Sequence, residues 1–318
     1  KQGYPDCLLF YRMGDFYELF FNDAVKASAA LDITLTKRGM HDERDVPMCG
    51  VPAHTSETYL SRLIRKGFRV AVCEQIEDPL TAKKRGPKSV VKRAVSRVVT
   101  PGTLTEDSLL DARENNYLVA VSEVGGELGL AWVEMSTGEF LTEHTSVQNL
   151  GVVLERVKPK EILVPEQLLQ REVLTDFFKD WAPQLTSQPD SRFNSENASI
   201  RLKKFYGVKS LDGFGNFTRP EISAAGAVLD YVTLTQVGEL PRLERLSQVA
   251  SGSIMEIDVA TRRNLELARS LSGDREGSLL SVIDNTLTGA GARLLSRYLA
   301  SPLTNVDEIH DRLDGVQF

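Results

Sequence analysis

The sequence predicts a multidomain α/β protein that turns all-α toward its end. Three observations predict it. The chain has 318 residues, more than one hydrophobic core usually organises. Short apolar strands alternate with helical segments at the start, and a β-β-β-α-β order follows. From about residue 192 the apolar positions recur at helical spacing.

The opening "CLLFYRMGDFYELF" reads as extended and largely buried, after which Asn22 or Asp23 is expected to cap a helix over "DAVKASAALD". In an extended segment successive side chains alternate between faces. Phe16 and Glu18 therefore share one face, and Tyr17 takes the other. A β-rich run "ITLTKRG" comes next, then a loop carrying "DVPMCGVPAH". "SETYLSRLIRKG" is a well-marked helix: Ser56 fits its N-cap, Tyr59, Leu60, Leu63 and Ile64 form an apolar stripe, and Gly67 supplies the stop. "FRVAVCEQ" follows as a strand. This alternation describes a small domain with a mixed sheet. Residues 81–97 hold seven basic side chains and no acid; Lys83–Lys88 is expected as a loop and "SVVKRAVSRVVT" as a strand.

A second unit begins after "TPGT". "NYLVAVSEV", "ELGLAWVEMS" and "EFLTEHT" read as three strands with turns at Gly125-Gly126 and Thr137-Gly138. The helix "VQNLGVVLERV" and the apolar strand "EILVP" complete an order that fits a ribonuclease-H-like α/β layer. Helical periodicity then takes over, most clearly in "PEISAAGAVLDYVTLTQ". It continues through "DVATRRNLELARSL", "SLLSVIDNTLTGAGARLLSRYL" and "NVDEIHDRLDGVQF". The last pattern stops at Phe318 without a capping signal, and the chain does not begin with Met. It is therefore expected to be part of a longer protein.

Composition limits the function classes. The chain is 42% hydrophobic and 26% charged, as in soluble globular proteins. No apolar run approaches the ~18 residues of a membrane span, and no signal peptide opens it. Cys7, Cys49 and Cys73 show no CxxC pairing, which favours a reducing cytoplasm over a disulfide framework. The net charge of −6 conceals an asymmetry: residues 1–100 carry +5 and the remainder −11. A basic first third on an acidic body marks where a polyanion could dock, and the Lys83–Lys88 segment is a candidate for phosphate contacts.

Enzyme signatures are sparse. There is no GxxxxGK[ST] phosphate loop, no HExxH and no GxSxG. His41, Cys49, His54 and Cys73 match no standard zinc spacing. A rival reading comes from the ribonuclease-H-like order, since nucleases of that fold hold two metal ions with carboxylates. Glu134 and Glu139, flanking a turn, could be two such ligands, although the first strand offers no inward Asp and a Glu at a hairpin is ordinarily solubilising. A third reading is an interaction scaffold that binds no nucleic acid.

"FYRMGDFYELF", "LTKRG", "PMCGVPAH", "CEQIEDP" and "RxVTPGT" together resemble the N-terminal region of the bacterial MutS DNA mismatch-repair family. "STGEF", "DVATRRNLEL" and "DNTLTGAGARLL" resemble its connector and the start of its core, in the same order. The resemblance implies a mismatch-recognition domain over 1–100, a connector over 106–238 and the start of a helical core over 239–318. The family's Phe-x-Glu recognition motif falls on Phe16 and Glu18. Met13, Lys37, Arg38, Met48, Lys83, Lys84, Arg85 and Lys88 are further candidates for DNA contact. The resemblance also implies a DNA-binding, cytoplasmic protein whose partners are duplex DNA with mismatches or small loops, MutL through the connector, and a second copy in a homodimer. No catalytic residue, metal or cofactor is expected within these residues. ATP and Mg²⁺ are expected for the full-length protein, through a domain beyond them.

The motif has a physical logic. A phenyl ring can enter a base step as a wedge, and unstacking costs least at a mispaired or unpaired base. A carboxylate near phosphates is repelled unless it finds a hydrogen bond at a base edge, accepting from a ring N–H or, protonated, donating to a ring nitrogen. On normal duplex that bond is missing and the repulsion remains.

Overall fold

The computed structural model describes residues 1–86, 89–105, 109–237, 241–250 and 252–317. The chain divides into two compact units, residues 1–109 with 231–240, and residues 110–230 with 241–318. The fold is multidomain α/β. No helix among the described residues is long and apolar enough to cross a membrane.

The first unit runs β1 (Leu8–Met13), β2 (Phe16–Phe20), α1 (Phe21–Leu31), β3 (Thr36–His41), β4 (Arg44–Pro52), α2 (Ser56–Arg65), β5 (Val70–Gln75), α3 (Pro79–Lys84) and β6 (Arg93–Val99). Its six strands form one mixed sheet in the order β3-β4-β2-β1-β5-β6. Among the described residues, β1 and β5 are its one parallel pair. The apolar stripe Leu60, Leu63 and Ile64 of α2 is buried with Ala24, Ala27 and Leu31 of α1, and both helices pack on the sheet.

Four local expectations change here. The opening stretch is two strands joined by a turn. "DVPMCGVPAH" is mostly strand β4, because its alternate residues Cys49 and Val51 enter the core while its backbone pairs with β2 and β3. Neither Asn22 nor Asp23 caps α1, which starts at Phe21. The Asp23 carboxylate turns back to accept from the Leu9 amide at 3.1 Å and from the Lys1 ammonium at 2.9 Å. Ser56 likewise lies inside α2, donating to the Ala53 carbonyl at 2.7 Å.

In the second unit β7 (Tyr117–Val124), β8 (Glu127–Glu134) and β9 (Phe140–Thr145) form an antiparallel meander. α4 (Leu150–Val157) leads to β10 (Glu161–Pro165), parallel to β7. The short α5 (Glu166–Leu169) and α6 (Glu172–Asp180) lead to β11 (Leu185–Gln188), parallel to β10. One face of this sheet buries Val119, Val121, Leu130 and Trp132 against Leu150, Val153 and Leu154 of α4. After α7 (Ser195–Tyr206), α8 (Arg219–Thr235) lies on the other face, so close at Gly129 that a Cβ there would stand 2.4 Å from the Glu221 amide nitrogen. Glu221 is fully buried and satisfied: it accepts from Thr142, Gln248 and the backbone and hydroxyl of Thr218.

β12 (Ser247–Gln248) extends the sheet beside β9, and α9 (Val259–Asn264), α10 (Leu279–Ile283), α11 (Gly289–Ala300) and α12 (Val306–Gln317) follow. α12 fills its expected segment, whereas α9, α10 and α11 are shorter than their periodicity suggests. "LELARSL" is not helical past Asn264. "SLLSVIDNTLTGAGARLLSRYL" breaks at Asp284, whose carboxylate takes the amide and hydroxyl of Thr286, and Thr288 restarts the helix by capping the Gly291 amide at 3.1 Å. Short polar side chains compete with the helix for backbone groups, and here they win.

Candidate nucleic-acid interface

β1 and β2 meet in a tight hairpin, Met13 opposite Phe16, with Gly14 and Asp15 as its loop. Gly14 takes φ +61°, a left-handed conformation that glycine adopts without a Cβ penalty. Arg12 Nε donates to the Gly14 carbonyl at 2.6 Å, and the Ala53 amide donates to the Asp15 carbonyl at 2.8 Å. The turn is therefore tied at both ends.

Along β2 the side chains alternate as extended geometry requires. Tyr17 and Leu19 are buried, whereas Phe16 is 48% exposed and Glu18 half-buried on the opposite face. Tyr17 packs on Phe10 at 5.6 Å, lies 5.1 Å from the Arg12 guanidinium and donates its hydroxyl to Glu74. Burial and the Glu74 carboxylate raise its pKa. The core thus holds β2 through Tyr17 and Leu19 and leaves the Phe16–Glu18 face outside it.

β4 completes that face. Pro52 stands opposite Phe16, Gly50 opposite Glu18 and Met48 opposite Phe20. A Cβ on Gly50 would lie 3.7 Å from Glu18 Cγ and 3.9 Å from Phe16 Cδ1, so any side chain there would contact both. From β3, Arg38 pairs with Glu18, and Lys37 pairs with Asp45, which raises the Lys37 pKa. Phe16, Glu18, Arg38, Lys37 and Met48 thus belong to three adjacent strands, β2, β4 and β3. Met13 lies at the turn, its Sδ 3.4 Å from Arg93 Nη2.

Lys83, Lys84 and Arg85 lie at the opposite edge of the sheet, in the connection from β5 to β6. Lys83 and Lys84 fall on α3 and not in a loop. Arg85 pairs with Glu77 and reaches the Val90 carbonyl at 3.3 Å. Lys84 is exposed; Lys88 lies outside the described residues.

Gly50, Arg12, Arg93 and Glu74 support this face and were not singled out in the sequence. Gly50 stood in the "PMCGVP" segment, but only the β2–β4 register puts it opposite Glu18.

The other candidate chemistries find different surroundings. Cys49 and Cys73 are buried, which pushes the Cys49 thiol up to about 11. Among the described residues no three His, Cys, Asp or Glu side chains come together as a metal site. Glu134 is not at the surface: it is buried, accepting from Ser136 Oγ at 2.7 Å and the Thr137 amide at 2.7 Å, so it closes its own turn. Glu139 pairs with Arg297 and accepts from the Tyr117 hydroxyl at 3.3 Å.

Residues 1–108 match the family model described as MutS domain I, residues 116–244 that of MutS domain II and residues 260–318 that of MutS domain III. The DNA mismatch repair protein MutS of Ruegeria pomeroyi is 55% identical over 318 residues, 100% of this chain and 36% of that protein. Those of Dinoroseobacter shibae and Cereibacter sphaeroides are 54% and 53% identical with the same coverage. The chain spans about a third of the length of these curated relatives.

Proposed function

Since this chain belongs to the MutS family of DNA mismatch-repair proteins, we propose that residues 1–100 recognise mispaired and unpaired bases in duplex DNA. Phe16 is the wedge and Glu18 the base contact. One observation carries the reading: an aromatic ring half out of the fold stands beside a carboxylate on one strand face, while Tyr17 between them is anchored in the core. A wedge must be rigid to unstack a base step, and the tied turn at Gly14-Asp15 supports that rigidity. The wedge senses deformability, and the carboxylate penalises duplex that offers no base edge to bond.

In this reading residues 106–238 form a ribonuclease-H-like connector that also contacts MutL, and residues 239–318 begin a helical core. The whole protein is a cytoplasmic homodimer and ATP-dependent clamp, its ATP and Mg²⁺ bound outside these residues. The rival reading, a metal-dependent nuclease, needs Glu134 and Glu139 available to metal ions. Both are engaged by groups of their own fold.

Glu18→Ala in the full-length protein tests the assignment. It removes a bond at the mismatch and a repulsion elsewhere. Binding to fully paired duplex should strengthen, and discrimination should shrink by about tenfold, the worth of a charged hydrogen bond of ~1.5 kcal/mol. Glu18→Gln should restore the mismatch bond only in part. Fluorescence anisotropy with G·T and fully paired duplexes, with and without Mg²⁺, reads both effects. Cleavage in Mg²⁺ would favour the nuclease.

The basic segment has its own test. Replacing Lys83, Lys84, Arg85 and Lys88 with Ala should weaken binding to all duplexes alike. It should also flatten the salt dependence by up to about one unit of slope per lost phosphate contact. An unchanged slope would remove the segment from the interface.

A further inference from the structure

Glu18 already has a partner. Arg38 Nη1 contacts both Oε1 and Oε2 of Glu18, although β4 lies between their strands. Two features shape that reach. The β3–β4 ladder shifts register between Lys37 and Met40, so Arg38 and Gly39 sit in a bulge, with Gly39 at φ +73°. A bulge of this kind re-aims a side chain. On β4, Gly50 stands opposite Glu18 and puts no side chain against it. The Glu18 side chain is left 12% exposed and that of Arg38 47%.

We propose that Arg38 positions the Glu18 carboxylate and thereby tempers mismatch discrimination. It holds the Glu18 carboxylate in the DNA-free protein, and releases it to a base edge as its own guanidinium passes to a backbone phosphate. The proposal rests on the recognition role assigned above to Glu18. The geometry supplies the competition: one guanidinium nitrogen lies against both carboxylate oxygens, so a base N–H competes with it for the side of the carboxylate between them.

The two duplex classes then meet different surfaces. A paired duplex offers Glu18 no base bond, so the ion pair stays closed and Arg38 lessens, without cancelling, the repulsion between the carboxylate and the phosphates. At a mispair the pair opens, and two new contacts replace it, carboxylate to base and guanidinium to phosphate. Removing Arg38 therefore has opposite weight in the two complexes. At the mispair the lost phosphate contact is offset because Glu18 no longer has to be released. On paired duplex the bare carboxylate faces the phosphates, and binding weakens.

The test is a double-mutant cycle in the full-length protein, read by anisotropy at one fixed salt concentration on G·T and fully paired duplexes. Arg38→Ala should widen the ratio of paired to mismatched Kd by about two- to fivefold, the range of a partly exposed ion pair. Introduced together with Glu18→Ala, the same change should weaken both complexes equally and leave the ratio where Glu18→Ala alone puts it. Arg38→Gln, close in reach but uncharged, should follow Arg38→Ala. The exposed position on edge strand β3 predicts an unchanged melting temperature for both variants. An equal shift of the ratio with and without Glu18 would make Arg38 an ordinary phosphate contact and overturn the proposal, leaving the role of Glu18 intact. If Glu18→Ala alone leaves the ratio unchanged, the recognition reading itself falls, and the proposal with it.

Discussion

Replacing Phe16 with Ala should lower affinity for a G·T-containing duplex roughly ten- to hundredfold and change binding to fully paired duplex little. Stacking of a base on an aromatic ring is worth about 1–3 kcal/mol, and paired-duplex binding rests on phosphate contacts that the ring does not make. The fold should tolerate the change because the ring is 48% exposed and contributes little to the core. Tyr17→Ala is the contrasting control: it removes a ring packed on Phe10 and a hydroxyl bonded to Glu74, and should lower the melting temperature. Full-length protein titrated against both duplexes, with thermal melts alongside, decides the matter. Equal loss on both duplexes together with an earlier melt would make Phe16 a structural residue and end its assignment as the wedge.

Gly226→Ala should cost ~3 kcal/mol of stability, at the upper end of overpacking penalties, with a fall in Tm of roughly 6–12 °C for a domain of this size. A Cβ at Gly226 would stand 2.2 Å from the Cβ of Ala198 and 2.6 Å from its Cα, so α8 and α7 would have to separate. The contact sits in a buried run, Ala224, Ala225, Ala227 and Val228, and Arg201 donates to the Gly226 carbonyl at 2.6 Å across the same junction. A shift of α8 would disturb both. Gly213→Ala, where a Cβ meets nothing within 4 Å, should melt like the parent. Should calorimetry find Gly226→Ala as stable as Gly213→Ala, the close approach of these helices is not needed for the fold.

Several features follow from period alone and were legible in the sequence. The alternation that turns Phe16 and Glu18 one way and Tyr17 the other is a property of any extended chain with a buried partner face. The stripe of Leu60, Leu63 and Ile64, and the β-β-β-α-β order from Tyr117 to Pro165, depend likewise on neighbours a few residues apart. Local polar competition was harder to read. At Asp284 and Thr288, helical periodicity continued through residues whose side chains take backbone groups for themselves, and the predicted long helix became two.

Tertiary structure alone decided the rest, because it brings together residues that no short-range pattern connects. "PMCGVP" carries two prolines and a glycine, which read as a loop. It became a strand because β2 and β3 pair on either side and the core accepts Cys49 and Val51. The same pairing sets Gly50 against Glu18. It also places β3 where a bulge brings Arg38 to a carboxylate twenty residues earlier in the chain. Glu134 shows the effect from the other side: at a hairpin it reads as a solvated charge, but the backbone donors of its own turn and a buried sheet end enclose it. Sequence spacing determines which face a side chain takes. Which partner meets it there depends on register and sheet order, and those are settled only when distant strands pair.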